Sequence, residues 1–190
     1  MRRLILNEFV SLDGMGAGLN GSVDFIPAAT RGDESFGREQ LAFLETVDTI
    51  VMGRITYQMF VSYWPMVTDG PEKSFADKLN AMKKAVFSRT LDHAPWGEWE
   101  AAHILRDDPS KELLALKQQP GRDIVLWGSL SLAHALVAAD RVDEYRLVHC
   151  PIVLASRKPL FPPAMLARPL TFRRTATFDY GAVLTVHTRT

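Results

Sequence analysis

Three short segments of the sequence combine residues that are suited to binding phosphate. The first has the sequence MGRIT at residues 52–56 and follows a short apolar run. Gly53 lets a phosphate approach the backbone, and free N–H groups at the start of the next helix would point at it. Arg54 can hold a phosphate with two hydrogen bonds, and Thr56 adds a hydroxyl donor. These residues predict an anion-binding site where a strand ends and a helix begins.

The other two segments follow further apolar runs. Residues 127–131, with the sequence WGSLS, place a glycine at the turn and two hydroxyl groups in the first helical turn. Ser88 and Arg89 combine a hydroxyl with a guanidinium, which suits the 2′-phosphate that distinguishes NADPH from NADH. Each segment alone is equally typical of ordinary strand-to-helix geometry. Three of them, on three buried strands, favour a nucleotide.

The common signatures of other chemistries are missing from the sequence. It contains no G-x-G-x-x-G after the first strand, no P-loop, no H-E-x-x-H and no G-x-S-x-G elbow. The histidines lack the spacing of metal ligands, so no metal site is expected. They are His93, His103, His134, His149 and His187.

Alternating strands and helices must position these segments. Short apolar or β-branched runs predict strands at 4–10, 49–52, 85–87, 102–105, 124–127, 144–154, 170–178 and 182–188. Helical spacing predicts helices at 36–47, 54–63, 74–82, 109–116 and 132–137, two of them capped by Asp33 and Asp108. A βαβ body with an antiparallel pair at its C-terminal edge predicts an α/β fold with a mixed sheet and flanking helices. No shift in composition divides the chain, so a single domain over residues 1–190 is expected.

Two connections stand out by composition. Asp13 opens a segment with glycines at 14, 16, 18 and 21, which suggests a mobile loop. Asp13 either closes a turn with its side chain or belongs to a site. A proline-rich connection, with Pro159, Pro162 and Pro163, precedes the last two strands.

Bulk composition excludes several classes of partner. Twenty-two basic residues balance 22 acidic ones, which argues against nucleic acid or an anionic membrane as the main partner. No apolar run approaches the roughly 18 residues of a membrane helix, and polar residues interrupt the apolar stretch at the N-terminus too early for a signal peptide. Cys150 is the only cysteine, which suits a reducing compartment. A cytoplasmic protein is expected.

Several motifs resemble one known family. The MGRxT sequence at 52–56 looks like the cofactor motif of dihydrofolate reductases. The sequences SLDG at 11–14, GSxxLxxxL at 128–136, VDE at 142–144 and PIVL at 151–154 are similar to one branch of that superfamily. This branch contains the C-terminal reductase domain of the bifunctional riboflavin-biosynthesis deaminase-reductase. The resemblance runs from about Leu4 to His187.

This resemblance implies a fold, a cofactor and an assembly. The fold would have three layers around a mostly parallel sheet of about eight strands, and family members are often homodimers. NADPH would be the cofactor, with its pyrophosphate and adenosine side at Gly53, Arg54 and Thr56. Its 2′-phosphate would meet Ser88 and Arg89. Its nicotinamide end would lie over the following three residues: Gly128, Ser129 and Leu130.

The resemblance also raises the question of a proton donor. Dihydrofolate reductases place an acidic residue early in the first helix, and Glu39 and Gln40 are the nearest matches here. Asp13 would belong to the loop that covers the active site. Asp13 and Glu39 are therefore the candidate catalytic residues, although Glu39 is also typical of a solvated surface charge. The alternative proton source is solvent.

Two departures from the family concern the substrate. Residues 155–157 have the sequence ASR, where the riboflavin-pathway reductases usually have a glycine-rich turn. The deaminase half has no counterpart in the sequence. We therefore predict an NADPH-dependent reductase of a small pterin- or ribosylaminopyrimidine-like heterocycle. The alternatives are a reductase of an unrelated carbonyl compound or heterocycle, and a protein of the same fold that binds NADP without catalysis.

Overall fold

One mixed sheet forms the centre of the computed structural model, which describes residues 1–162 and 167–190. Within these residues the sheet has eight strands, most of them apolar and buried. The strands are β1 (Leu4–Ser11), β2 (Val47–Gly53), β3 (Lys83–Phe87), β4 (His103–Leu105), β5 (Asp123–Trp127), β6 (Glu144–Cys150), β7 (Leu170–Thr177) and β8 (Val183–Arg189).

The strand order explains how the chain builds one binding edge. The order is β4-β3-β2-β5-β1-β6-β8-β7. The first six strands in this order run parallel, and β8 and β7 add antiparallel pairs at one edge. The carboxyl ends of β3, β2, β5 and β1 therefore lie side by side, where open α/β sheets bind their ligands. This mixed sheet with an antiparallel C-terminal edge confirms the predicted fold class.

Helices cover both faces of the sheet. They are α1 (Phe25–Thr30), α2 (Glu34–Leu44), α3 (Arg54–Val61), α4 (Lys73–Ala81), α5 (Pro109–Gln118) and α6 (Leu130–Ala138). Leu113 of α5 and Leu136 of α6 pack on one face with Leu4 and Leu6. The opposite face receives α2, α3 and α4 around Ile5. Because side chains alternate along a strand, β1 contributes to both cores.

Local sequence signals place the helix starts correctly. The Asp33 carboxylate accepts the Phe36 backbone N–H at 2.9 Å, and the Asp108 carboxylate accepts the Lys111 N–H at 3.0 Å. Both aspartates are N-caps, as the sequence predicts. Pro109 occupies the first turn of α5, where a missing N–H costs nothing.

Four details differ from the sequence prediction or lie outside the structure. The predicted helix 36–47 is too long, since α2 ends at Leu44 and Val47 begins β2. The predicted strand 144–154 is too long, since β6 ends at Cys150, before a proline that has no N–H for the ladder. The six-residue helix α1 lies in a segment that the sequence analysis did not assign to a helix. Pro163, in the predicted proline-rich connection, lies outside the described residues.

Candidate active site

The three predicted phosphate-binding segments follow three neighbouring strands. Gly53 lies opposite Phe87 of β3, and Val51 lies opposite Leu126 of β5. Residues 88–90, 53–56 and 128–131 are thus brought to the same edge of the sheet. Adjacent strands are about 4.8 Å apart, so the three segments together span roughly 10 Å. An extended ligand with several phosphates can contact all three.

Ser129 connects the ends of β2 and β5 directly. Its hydroxyl accepts the Gly53 backbone N–H at 2.7 Å and donates to the Thr56 hydroxyl at 2.8 Å. Ser129 has a φ of 65°, a left-handed conformation that is rare for a residue with a side chain. These two hydrogen bonds hold the strained turn in place, and strained residues of this kind cluster at binding sites.

Gly128 is a glycine for two reasons. Its φ is 63°, and a Cβ built on it would lie 2.8 Å from the Thr56 side chain. Any larger residue would therefore meet both backbone strain and a steric clash. The bare backbone of Gly128 leaves an open approach to the start of α6.

The helices that start at this edge have free N-termini. Neither Gly53, the N-cap of α3, nor Ser129, the N-cap of α6, makes a side-chain cap hydrogen bond. The first N–H groups of a helix have no partner within it, and the helix dipole adds partial positive charge there. Two uncapped helix starts side by side fit a pyrophosphate.

The predicted arginines are free to reach a ligand. Arg54 is exposed, and its guanidinium contacts the Gln58 side chain at 3.3 Å, one helical turn on. Arg89 is also exposed. The Ser88 hydroxyl accepts two backbone N–H groups from the turn that follows, which leaves its own O–H available to donate.

Asp13 ties two loops together. Its carboxylate accepts the Ser11 hydroxyl at 2.6 Å and the backbone N–H groups of Leu154 and Ala155 at 3.1 and 2.8 Å. The Ser11 hydrogen bond and these two backbone bonds lower the pKa of Asp13. The side chain is therefore ionised near neutral pH, and it anchors the segment after β6 to the end of β1.

The glycine-rich segment after Asp13 lies close to the start of α6. The Gly16 N–H donates to the Lys158 carbonyl at 3.0 Å, and a Cβ built on Gly16 would lie 2.5 Å from the Leu130 side chain. A Cβ at this position would require the Leu130 side chain to move. Leu130, a predicted cofactor-binding residue, is therefore in contact with the glycine-rich segment.

Glu39 lies on α2 and is bound by two arginines. It accepts hydrogen bonds from Arg146 at 2.7 Å and from Arg174 at 2.5 and 3.2 Å. Desolvation raises the pKa of Glu39, but the hydrogen bonds from Arg174 and Arg146 outweigh it, so the net pKa is lowered. Glu39 is ionised near neutral pH and holds the two guanidinium groups in place.

Three buried polar side chains lie near Glu39, and the sequence motifs pointed to only one of them, Gln40. Among the described residues, Asn7 and Gln40 have no hydrogen-bond partner for either amide atom, and Arg146 has none for its Nε. Asn7 and Arg146 are opposite each other on β1 and β6, and the Arg146 guanidinium lies 4.4 Å from the Phe43 ring centroid on α2. Unpaired buried polar groups are costly, and a ligand is one reason to keep them.

One sequence signal could have identified this cluster of buried polar side chains. Asn7 interrupts an apolar strand that is buried along its whole length, with Ile5 and Phe9 on either side of it on the same face. The Arg146 partnership could not have been seen, because 107 residues separate it from Glu39 in the sequence.

Comparison with known proteins gives the family. The family model for the RibD C-terminal domain matches residues 2–184. The chain belongs to the RibD C-terminal domain family. This confirms the branch to which the sequence motifs pointed.

Individual relatives agree with this family. The chain is 35% identical over 187 residues to the uncharacterized protein YyaP of Bacillus subtilis, covering 98% of this chain and 94% of the relative. A structure from Shewanella sp. PV-4, whose name connects it with riboflavin biosynthesis, has a TM-score of 0.73 at 22% identity, covering 100% and 99% of the two chains. Dihydrofolate reductase from Enterococcus faecalis, solved with NADP(H), has a TM-score of 0.64 at 14% identity, covering 98% and 96%. Both structures establish the dihydrofolate-reductase-like fold.

The described residues contain neither a membrane-spanning helix nor a cluster of metal ligands. None of the helices in residues 1–162 and 167–190 is long and apolar enough to cross a membrane. In the same residues, no group of three or more histidine, cysteine, aspartate or glutamate side chains is arranged to hold a metal ion.

Proposed function

We propose that this chain is an NADPH-dependent reductase of a small heterocyclic substrate, pterin-like or ribosylaminopyrimidine-like. One observation carries the proposal: the three segments that we predict to bind phosphate lie at three adjacent strand ends, beside two uncapped helix starts. Membership of a family of reductase-like domains supports it. Their names connect relatives with riboflavin biosynthesis and NADP(H), which suits the same chemistry.

The site residues fit the parts of NADPH. Gly53, Arg54 and Thr56 would hold the pyrophosphate and adenosine side, because the bare backbone of Gly53 and the start of α3 accept an anion. Ser88 and Arg89 would hold the 2′-phosphate. When bound, NADPH supplies a hydride, while the protein provides orientation and excludes water. The pyrophosphate and nicotinamide end would also contact the strained turn and the start of α6, at Gly128, Ser129 and Leu130.

The unpaired polar groups on the face of the sheet that α2 covers would form hydrogen bonds with the substrate. The amides of Asn7 and Gln40 each offer a donor and an acceptor, and the Nε of Arg146 offers a further donor. Paired N–H and C=O groups on the edge of a pyrimidine or pterin ring are complementary to these side chains. Glu39 would position Arg146 for this contact.

The hydrogen bonds of the two candidate acids favour solvent as the proton source. Asp13 and Glu39 are both held as carboxylates, so neither has a proton to donate near neutral pH. We propose that Asp13 and Glu39 act by positioning the glycine-rich segment and the arginines. Water admitted beside the glycine-rich segment would then protonate the substrate.

Assembly and location are part of the same proposal. We propose a homodimer that works in the cytoplasm. The balanced charge and single, buried cysteine suit a reducing compartment without nucleic acid or membrane as a partner. The exposed strand β7 at the sheet edge offers a surface for a second copy.

The test is a comparison of cofactor affinities in Arg89→Ala. A charge-assisted hydrogen bond contributes about 1.5–3 kcal/mol, so the variant should bind NADPH roughly 10- to 100-fold more weakly. Its NADH affinity should change by less than about twofold, because NADH has no 2′-phosphate. Fluorescence titration measures both, and thermal shifts with NADPH, NADH and FMN provide a second readout.

Arg38→Ala is the control for this experiment, since Arg38 is an exposed arginine on α2 that pairs only with Glu34. It should leave both affinities unchanged. Equal losses of NADPH and NADH affinity in Arg89→Ala would remove the 2′-phosphate assignment. A wild-type protein that binds NADPH but oxidises it with no pterin, pyrimidine or quinone would be a binding protein and not a reductase.

A further inference from the structure

Glu8 is a buried acid that the proposed site does not use. It lies in the middle of β1 with 5% of its surface exposed, and its Oε1 has no hydrogen-bond partner in residues 1–162 and 167–190. Burial raises the pKa of Glu8 well above its usual range, and a hydrogen bond from the Gly128 backbone offsets this only in part. Burial therefore favours the uncharged form of the carboxyl. Such a group is costly to bury unpaired, and it needs an explanation.

Glu8 lies where two neighbouring strands separate. β1 pairs with β5 from Leu4 to Asn7, and the last pair is Asn7 with Trp127. Beyond that point β1 continues to Ser11 and is paired only with β6. Glu8 is the first residue past this fork. The fork opens at the carboxyl edge of the sheet, beside Gly128.

Strand alternation gives the direction of the Glu8 side chain. Leu4, Leu6 and Val10 all pack in the core beneath α5 and α6. Glu8 is two residues from both Leu6 and Val10, so its side chain points to the same face of the sheet, towards the start of α6. Asn7 faces the opposite side. Glu8 therefore points away from the pocket that we assign to the substrate.

The order of the strands determines what reaches the fork. In our proposed function the 2′-phosphate lies at β3 and the pyrophosphate at β2 and β5. The next strand is β1, so the remaining end of the dinucleotide, its nicotinamide, extends to the β1–β5 fork. The polar group on that ring is a carboxamide, with an N–H₂ donor and a C=O acceptor. An uncharged carboxyl also has one donor and one acceptor side by side, so the two can form a paired hydrogen bond.

We propose that the Glu8 carboxyl binds the nicotinamide carboxamide, with one oxygen donating an O–H to the amide oxygen and the other accepting the amide N–H. This inference rests on the proposed NADPH function. Glu8 acts as a binding residue that fixes the orientation of the ring. It does not transfer a proton to the substrate, from which it points away.

The test uses two variants and three ligands. Glu8→Met keeps the length of the side chain but removes its hydrogen bonds, whereas Glu8→Gln keeps a donor and an acceptor and cannot donate a proton. The ligands are NADP⁺, its 3-acetylpyridine analogue, which lacks the amide N–H, and 2′-phospho-ADP-ribose, which lacks the nicotinamide. Calorimetry measures all affinities.

The wild type should prefer NADP⁺ to the acetylpyridine analogue by about fivefold, the value of one neutral hydrogen bond. Glu8→Met should lose about tenfold in NADP⁺ affinity and lose this preference, while binding 2′-phospho-ADP-ribose as the wild type does. Glu8→Gln should stay within about twofold of the wild type for NADP⁺ and retain NADPH oxidation.

Different results would overturn different conclusions. A wild type that binds neither NADP⁺ nor 2′-phospho-ADP-ribose would contradict the proposed function and this inference together. If NADP⁺ binds, an unchanged NADP⁺ affinity in Glu8→Met would contradict the inference alone. Normal binding but no oxidation in Glu8→Gln would make Glu8 a proton donor and overturn its role as a binding residue. Should Glu8→Met not fold, equal wild-type affinity for NADP⁺ and its analogue would still exclude the carboxamide contact.

Discussion

Two consecutive residues with positive φ shape the proposed cofactor site. Gly128 has a φ of 63° and Ser129 a φ of 65°. The strain at Ser129 is unusual, since a residue with a side chain pays roughly 1–2 kcal/mol in this conformation. The hydroxyl of Ser129 offsets this cost through its bonds to Gly53 and Thr56. The turn is thereby rigid before any ligand binds, and preorganisation lowers the cost of binding.

Gly128→Ala tests this turn. The substitution should lower the free energy of unfolding by roughly 2–4 kcal/mol, because the added Cβ meets both positive φ and the Thr56 side chain. NADPH affinity should fall as well, since the turn must shift. Urea denaturation and an NADPH titration measure the two effects.

Gly70→Ala is the matched control for this substitution. Gly70 has a φ of 80°, but a Cβ built there meets no atom within 4 Å. It should lose only about 1 kcal/mol, from backbone strain alone, and keep its NADPH affinity. An equal loss of unfolding free energy in both variants would show that the clash with Thr56 does not contribute to the destabilisation.

At the scale of elements, the chain after β1 and the chain after β6 form one paired unit. The Leu12 N–H donates to the Ile152 carbonyl at 2.8 Å, and Met15 and Pro159 form an isolated bridge. The Asp13 side chain joins them through the N–H groups of Leu154 and Ala155, and the Ser156 hydroxyl adds a bond to the Ala17 carbonyl at 2.6 Å. The predicted site loop therefore depends on a second loop that lies about 140 residues away in the sequence.

Asp13→Asn should loosen this unit, because an amide nitrogen cannot accept a backbone N–H. Hydrogen exchange should speed up at Leu154 and Ala155. The hydrogen bonds lower the folded pKa of Asp13, so its stabilisation is present above the unfolded pKa of about 3.9 and is lost as pH falls through the folded value. The difference in exchange between wild type and variant should therefore shrink on acidification.

Asp24→Asn is the control for removing a negative charge from this region without breaking a contact between the two loops. Asp24 is an exposed aspartate in the same region that accepts the Ser22 hydroxyl at 2.7 Å. Its substitution should leave the exchange of Leu154 and Ala155 unchanged. If hydrogen exchange at these two amides is equally fast in Asp13→Asn and the wild type, the carboxylate does not hold the loops together.

The elements themselves could be predicted because their signals are local. Buried apolar runs predicted the strands, and Asp33 and Asp108 predicted two helix starts through caps that form within three residues. The end of β6 was predicted too late, because the apolar pattern continues to Leu154 while Pro151 interrupts the ladder. The short helix α1 was missed, since its six residues are too few for a helical repeat and include a proline.

The candidate site was predictable only in part, for a physical reason. The three predicted phosphate-binding segments could be recognised because each contains glycine, hydroxyl or arginine residues next to a predicted strand. Parallel strands then bring their carboxyl ends to one edge of the sheet. The surroundings of Glu39 and Asp13 depend on partners more than 100 residues away, Arg146 for one and Leu154 for the other. Hydrogen bonds from those partners favour the ionised form of both residues, which the sequence had suggested as proton donors.

At the scale of the whole molecule, the two edges of the sheet differ. β4 has three residues, which gives little template for pairing, whereas β7 has eight and is largely exposed. Phe172 on β7 is 57% exposed and stacks edge-on against His187 at 5.6 Å. A long exposed edge strand with an aromatic side chain is a surface that natural proteins usually cover.

We expect a second copy of the chain to cover β7 in a symmetric dimer, since two-fold contacts are the commonest way to bury such a surface. Phe172→Glu should convert the expected dimer to a monomer in analytical ultracentrifugation while retaining the fold, because Phe172 is largely exposed and belongs to none of the buried hydrophobic clusters. Met66→Glu, at a 75% exposed apolar residue away from β7, should remain dimeric. A monomeric wild type, or a dimer that survives Phe172→Glu, would place the contact elsewhere or remove it. Because Arg174 on the same strand binds Glu39, beside the side chains that we propose as the substrate site, dissociation should also weaken substrate binding more than NADPH binding.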